Sequence, residues 1–371
     1  MAKKFNSFLT IIFCVLFACL GFVGGAVGFL AYKAYEEISQ IKVYSSGNLE
    51  FHFLELGNAY NGDCTYINAG GVDILIDAGS RTNSISTITT YINEYVKDNT
   101  LEYVIVTHAH QDHYAGFATS ENVKSIFDMY TVETIIDFAQ TNQADRGMYA
   151  NYKRERAEAV SRGAKHYTAL QCINEDDGAK RIYNLTDTIT MEILEHKYYS
   201  QKSNDENDHS VCTLFSQGNR HFILTGDLEE KGEVSLVDCN NLPRVELYKG
   251  GHHGSPTSSN TAFLAQIQPK ICAVCCCAGS MEYTQEKAND FPSQAFINRI
   301  SEHTDAVYIT SLGIPKFKDG EYSPDKFESF NGNIVIKSEP KEVKVSCSNN
   351  NTKLKDTEWF RENRTMPIKW E

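Results

Sequence analysis

The chain has 371 residues, which is long enough for one large α/β domain or two smaller ones. Its composition, with 42% hydrophobic and 22% charged residues, is that of a globular protein and excludes a largely disordered chain. The formal net charge of −13 creates a field that repels polyphosphate backbones, which argues against tight non-specific binding to nucleic acid.

The first apolar segment covers residues 8–32 and contains no charged residue. At about 1.5 Å per residue, a helix of this length spans the hydrocarbon core of a bilayer. We therefore predict a membrane anchor over residues 1–32 and a polar linker over 33–48; the alternatives are a cleaved signal peptide and a buried core helix. Lys3 and Lys4 precede the segment, so the positive-inside tendency predicts a single-pass protein of the cell membrane whose remaining residues are extracytoplasmic.

Alternating and continuous apolar runs, bounded by glycine-bearing turns, predict strands through most of the remaining chain. These runs cover residues 49–56, 64–70, 72–79, 103–108, 132–139, 165–170, 188–195, 211–217, 220–227, 244–250, 271–277, 306–311 and 333–338. Helical periodicity is found over residues 84–99, 121–130, 144–162, 228–238, 258–267 and 292–302. Two mostly antiparallel groups of strands, each followed by helices, indicate an α/β fold of four layers, αββα, with two facing sheets between layers of helices. We assign this domain to residues 49–338 and a peripheral C-terminal extension to 339–371.

Ligand-type side chains are concentrated in 106-VTHAHQDHYAG-116, directly after an apolar strand run. In an extended segment side chains alternate between faces, so His108 and His110 point the same way and can bind one metal ion. Asp112 and His113 follow where the chain turns toward a helix, and they can face a second ion. Imidazole and carboxylate together suit zinc, manganese or iron, and two ions about 3.5–4 Å apart are a recurring hydrolytic device.

The spacing HxHxDH resembles the signature of the metallo-β-lactamase superfamily, and other motifs agree with it in order. Asp77, which ends the strand 74-ILIDAG-79, matches the superfamily's upstream aspartate, and 222-FILTGD-227 matches the strand that carries its bridging carboxylate. More narrowly, the segments 53-FLELGNAYNGDCTYI-67, 207-NDHSVCTLF-215, 223-ILTGDLEE-230 and 251-GHHGSPTSS-259 look like the hydrolase domain of ComEC-type competence proteins and of its free-standing relatives. The resemblance implies a metallo-β-lactamase αββα sandwich.

The resemblance also implies which residues hold two divalent metal ions, zinc first and manganese second. One ion is assigned to His108, His110 and Asp227. The other is assigned to Asp112, His113, Asp227 and one of the adjacent histidines, of which we choose His253. His252 then faces the substrate as a proton donor, which makes Asp112, Asp227 and His252 the expected catalytic residues, while Asp77 supports the histidine loop from behind.

Two motifs leave alternatives open. In the subgroup, the usual mid-chain histidine ligand is replaced by an asparagine/serine motif, here Asn207 and Ser210, which we expect to contact substrate. Because a protein ligand is lost, the ion of His108 and His110 is expected to be labile unless His209, in the same motif, replaces the ligand. Ser255 and Ser258 precede a predicted helix, where they either bind a substrate anion or cap that helix.

The resemblance favours hydrolysis of a phosphodiester by a hydroxide that bridges the two metal ions. Nucleic acid, a small molecule and a cell-surface phosphodiester are the substrates considered, and the sequence indicates no protein partner. Because a fold does not determine a reaction, two alternatives remain: a non-catalytic member that binds a ligand or partner, and a β-lactamase.

Overall fold

The computed structural model describes residues 48–120, 122–314, 317–318, 321–322 and 326–371, which belong to one compact unit. The predicted membrane anchor, and the predicted linker except for its last residue, lie outside the described residues. Within the described part of the chain, every helix is too short or too polar to cross a bilayer.

Eighteen strands follow in chain order. They are β1 Leu49–Phe53, β2 Thr65–Ala69, β3 Val72–Ile76, β4 Thr100–Val106, β5 Thr131–Asp137, β6 Lys165–Thr168, β7 Ile182–Asn184, β8 Ile189–Leu194, β9 Cys212–Gln217, β10 Arg220–Leu224, β11 Leu247–Lys249, β12 Ile271–Ala278, β13 Val307–Gly313, β14 Phe317–Lys318, β15 Glu321–Tyr322, β16 Phe327–Ser329, β17 Ile334–Ser338 and β18 Val343–Cys347. The α-helices are α1 Ser84–Ile92, α2 Gln111–Tyr114, α3 Ile126–Met129, α4 Gly147–Ser161, α5 Ala169–Asn174, α6 Glu230–Cys239, α7 Thr261–Ile267, α8 Gln294–Ile300 and α9 Glu358–Asn363.

Two sheets of eight strands form the centre of the domain, with the strand orders β18-β17-β1-β2-β3-β4-β5-β6 and β16-β13-β12-β11-β10-β9-β8-β7. Both sheets are mixed, because β3 to β6 run parallel and so do β10 to β13. The prediction of mostly antiparallel strands is therefore wrong for half of each sheet. The helices α1 and α4 provide the crossover that a parallel pair requires, as do α7 and α8.

The layer order follows from the two faces of the strands. Phe51 of β1 stacks on Phe222 of β10 with ring centroids 4.9 Å apart, which places the two sheets face to face. Along β12, Ala273 and Cys275 belong to the core between the sheets, whereas the alternate residues pack in a second core with α6, α7 and α8. The predicted αββα arrangement is confirmed.

Residues 339–371, predicted as a peripheral extension, contribute to both layers. Strand β18 pairs with β17 at the edge of the first sheet. Leu354, Phe360 and Trp370 are at most 3% exposed and belong to the second core.

The parallel strands direct their carboxyl ends toward one edge of the sandwich. Asp77 follows β3, His108 follows β4, Asp227 follows β10, and Lys249 ends β11. In sheets of this kind the loops at the carboxyl ends of the strands form the ligand site. The topology therefore collects all the predicted metal-binding motifs in one place.

Candidate metal centre

The histidine loop is held by the end of the neighbouring strand. Ala78 donates its backbone N–H to the carbonyl of His113 (2.7 Å), and Gly116 returns a bond to the carbonyl of Ala78 (2.7 Å). A Cβ on Gly79 would lie 1.5 Å from the carbonyl oxygen of Asp112, so only glycine permits this close approach. The short helix α2 is thereby fixed with Asp112 and His113 both buried.

His113 lies between two aspartates. Its Nδ1 is 2.8 Å from Asp77 Oδ2 and its Nε2 is 3.1 Å from Asp227 Oδ2. Asp77 also accepts hydrogen bonds from the backbone and the hydroxyl of Thr107 (2.8 and 2.7 Å), which fixes its carboxylate. Burial alone would lower the pKa of His113, but the charges of Asp227 and Asp77 outweigh it and raise that pKa well above its ordinary value.

His253 is fully buried and its ring is oriented from behind. Its Nδ1 donates a hydrogen bond to the carbonyl of Cys275 (2.8 Å) and lies 3.3 Å from Asp63 Oδ1. Its Nε2 lies 3.2 Å from Asp227 Oδ2 and 3.3 Å from Asp112 Oδ2. A proton on Nδ1 leaves the lone pair of Nε2 directed at the two carboxylates, which is the arrangement of a metal-binding histidine.

The side chains form two overlapping groups whose ligand atoms lie within 4.8 Å of one another: His108, His113 and Asp227, and Asp112, His113 and His253. The second group contains three ligands predicted for one ion. In the first group, His113 stands where His110 is expected. His110 is half-buried, and its Nδ1 is 3.0 Å from His108 Nε2, at the outer side of the cluster.

Residues 57–124 match the sequence profile of the family described as the metallo-beta-lactamase superfamily. ComE operon protein 3 of Bacillus subtilis is 25% identical over 177 residues, covering 47% of this chain and 20% of that protein. Competence protein ComA of Neisseria gonorrhoeae is 35% identical over 114 residues, covering 30% of this chain and 15% of that protein. The predicted relationship to the metallo-β-lactamase superfamily is confirmed.

The chain spans a fifth or less of the length of these competence proteins. Among solved structures, the metallo-beta-lactamase fold protein YhfI from Bacillus subtilis is 10% identical, with a TM-score of 0.41; the match covers 71% of this chain and 96% of that one.

The residues present fit divalent metal ions. Within the described part of the chain, His253 Nε2 is buried without a hydrogen-bond partner although two carboxylate oxygens surround it. A buried polar atom without a partner is costly, and a cation shared with Asp112 and Asp227 would satisfy it. Imidazole and carboxylate are the ligand types that zinc prefers in sites of this composition.

Ser210 and Asn207, predicted to contact substrate, take different positions. Ser210 is completely buried; its Oγ accepts the backbone N–H of Asp227 (3.1 Å) and lies 3.4 Å from His108 Nδ1. It therefore supports two metal-binding residues from behind. Asn207 Nδ2 donates to Glu229 (3.3 Å), while its Oδ1 has no hydrogen-bond partner among the described residues. The alternative ligand His209 is buried and joins none of the candidate metal groups found there.

The serines of 251-GHHGSPTSS-259 bond within their own turn. Ser258 is fully buried and donates to the carbonyl of Gly251 (2.7 Å), and Ser255 Oγ lies 2.8 Å from the hydroxyl of Thr257. Helix α7 is capped instead by Asn260, whose side chain accepts two backbone N–H groups at the helix start. Neither serine caps the helix, which begins at residue 261 rather than 258.

His252 stands at the mouth of the cluster with a side chain that is 19% exposed. Its Nδ1 is 3.3 Å from Glu229 Oε1, and its Nε2 is 3.9 Å from Asp227 Oδ2. Glu229 also accepts the hydroxyl of Thr257 (2.8 Å). The carboxylate of Glu229 thus orients His252 with one ring nitrogen toward the cluster.

Lys249 and Tyr283 belong to the site although the sequence pattern does not single them out. Lys249 Nζ is buried against the carboxylate of Asp63 and lies 3.5 Å from Asp227 Oδ1. Burial alone would lower the pKa of Lys249, but the charges of Asp63 and Asp227 outweigh it and raise that pKa. Tyr283 is 52% exposed, and its hydroxyl donates to Asp112 Oδ2 (2.7 Å). A lone lysine between an apolar strand and GGHHG is the signal that could have indicated Lys249.

We expect His110→Ala to remove one metal ion per chain and to leave the other bound. His110 lies at the outer side of the cluster, whereas His113 and Asp227 belong to its buried centre. Metal analysis after graded chelation will check this: the wild-type protein should lose its ions in two steps, and the variant should lack the first. A variant that loses both ions together would contradict the outer position of His110.

Proposed function

We propose that this chain is a metal-dependent phosphodiesterase that acts outside the cell, on a small or cell-surface phosphodiester, while residues 8–32 anchor it in the membrane. The convergence of Asp112, Asp227 and His253 around a buried ring nitrogen without a hydrogen-bond partner is the observation that carries the proposal. The resemblance to the ComEC-type hydrolase domain supports the choice of a phosphodiester. The proposed domain is residues 49–338, continued by 339–371.

Zinc or manganese ions, when bound, supply positive charge that lowers the pKa of water and neutralises the oxygens of a phosphoryl group. The chain's own residues place the ligands. Asp77 holds the ring of His113, and Ser210 holds the backbone at Asp227. Glu229 holds His252 at the solvent-exposed side, where this imidazole can exchange a proton with a leaving group.

The charge distribution favours a short substrate over long nucleic acid. The basic residues of helix α4 form ion pairs within the domain: Lys153 with Asp145, Arg154 with Glu155, Arg156 with Asp137, and Arg162 with Asp128. Near the metal centre, Glu229 and Glu282 add negative charge, and Arg81 is paired with Glu282 (2.6 Å). A long polyanion would be repelled by this surface, whereas a small ester needs only the metal centre.

We expect the full chain, purified in detergent, to bind about two divalent ions and to hydrolyse bis-p-nitrophenyl phosphate, with a loss of at least about 100-fold on chelation. Metal analysis and the release of p-nitrophenol measure the two effects. Single-stranded DNA, a phosphorylcholine ester and a cyclic nucleotide, assayed on the same metal-loaded preparation, then distinguish the substrate classes. We expect DNA to be the slowest of the three.

The alternatives give different results in the same assays. A folded protein that binds metal but turns over none of these esters would favour a ligand-binding module. Turnover of nitrocefin without turnover of the phosphodiesters would favour a β-lactamase. A folded protein that binds no metal would overturn the proposal.

A further inference from the structure

Lys249 is the last residue of β11 and lies beneath the metal centre, between the two sheets. It is 2% exposed, although lysine is rarely buried without a partner. Its Nζ contacts the carboxylate of Asp63, which follows the first strand of the other sheet, and donates to the carbonyl of Gly226 (3.2 Å). It also lies 3.5 Å from Asp227 Oδ1.

Each carboxylate that meets Lys249 also faces the imidazoles of the cluster. Asp227 directs Oδ1 to the ammonium, and its Oδ2 lies 3.1 Å from His113 Nε2 and 3.2 Å from His253 Nε2. Asp63 contacts the ammonium through Oδ2, and its Oδ1 lies 3.3 Å from His253 Nδ1. One ammonium therefore fixes both carboxylates and, through them, the orientation of two imidazoles.

Four buried aspartates lie within this small volume: Asp63, Asp77, Asp112 and Asp227. Each is at most 7% exposed, so their mutual repulsion is poorly screened by water. Bound metal ions would neutralise them, but a newly folded chain meets these charges before it holds any ion. A cation supplied by the chain itself removes this cost.

We propose that Lys249 is an internal counter-cation that holds Asp63 and Asp227 in their metal-binding positions before metal arrives. The proposal rests on the proposed function in one respect, namely that Asp227 and His253 are metal ligands. It has a second consequence. Because only the Asp227 carboxylate separates the ammonium from an ion held by Oδ2, Lys249 repels that ion and weakens its binding.

The test is Lys249→Met in the full chain, with thermal unfolding measured in chelator and at saturating zinc. Loss of the buried cation should lower the unfolding temperature of the metal-free protein by about 5–10 °C. At saturating zinc we expect less than half of that decrease, because the metal ions then neutralise the same carboxylates. Competition with a coloured chelator should show zinc binding about tenfold tighter in the variant, as the smaller decrease requires.

Two further variants separate this role from a purely structural one. Lys270→Met removes a surface lysine that is 68% exposed and should change the unfolding temperature equally little in both states. The double variant Asp63→Asn/Lys249→Met removes one charge of each sign and should recover part of the metal-free stability lost in Lys249→Met.

Each outcome has a distinct meaning. Equal destabilisation with and without zinc, or weaker zinc binding by Lys249→Met, would overturn the counter-cation. If Lys249→Met fails to fold without metal but folds with zinc, the proposal is supported in its strongest form; failure to fold in both states, with no recovery in the double variant, would contradict it. A wild-type protein that zinc does not stabilise would instead refute the metal centre itself.

Discussion

Replacement of Asp227 by alanine is expected to abolish both metal binding and phosphodiester hydrolysis. Its Oδ2 lies near the ring nitrogens of His113 and His253, so it is the carboxylate common to the centre of the cluster. Removing it takes a ligand from both predicted ions, and we expect activity to fall by at least about 10³-fold. Metal analysis should find fewer than one ion per chain where the wild-type protein binds about two.

Asp238→Ala is the matched control for this variant. Asp238 is exposed on helix α6, and its substitution should leave metal content and turnover unchanged. Circular dichroism of both variants will establish that they remain folded. If Asp227→Ala retains both metal ions and more than a tenth of the activity, the bridging role is wrong.

The second large effect is expected for Asp77→Ala, which removes the partner of His113 without touching a predicted ligand. Three donors lose their acceptor, namely the ring of His113 and the backbone and hydroxyl of Thr107. We expect a loss of about 3–5 kcal/mol in the free energy of unfolding of the metal-free protein, because these groups stay buried. Metal affinity should fall by about 10–100-fold, since the ring of His113 is no longer oriented.

Asp73→Ala separates the two effects of Asp77→Ala. Asp73 lies on the same strand and is 7% exposed, and it accepts hydrogen bonds from Tyr66 (2.5 Å) and Asn68 (2.8 Å). Its loss should lower stability in denaturant unfolding without changing the zinc affinity. If both variants lower zinc affinity equally, the effect of Asp77 is one of general stability and the orienting role is refuted.

The metal-binding motifs were predictable because each one directly follows an apolar strand run. His108 follows β4, Asp77 follows β3 and Asp227 follows β10, so a correct assignment of strands already places them at strand ends. The start of helix α7 was predicted three residues too early because serines resemble capping residues. In the folded chain Asn260 caps the helix, and Ser258 is used inside the histidine turn.

The partners of these motifs were not predictable, since they come from distant parts of the chain. Tyr283 donates to Asp112 from 171 residues away, and no local pattern marks a half-exposed tyrosine as part of a site. Asp63 belongs to a segment recognised by its resemblance, but its contacts with Lys249 and His253 join the two sheets. The parallel half of each sheet was likewise missed, because strand direction depends on crossovers that periodicity does not reveal.

The sequence by itself determined the chemical type of the centre, because imidazole and carboxylate side chains at HxHxDH spacing suit a divalent ion whatever the fold around them. It also determined the αββα layers, through apolar runs of strand and helix length. Only the tertiary structure decided how the ligands are grouped and what supports them. His113 joins both groups, His110 lies outside them, and Lys249 neutralises two aspartates from below. These relations depend on the distance between side chains from different strands, which is set when the two sheets pack.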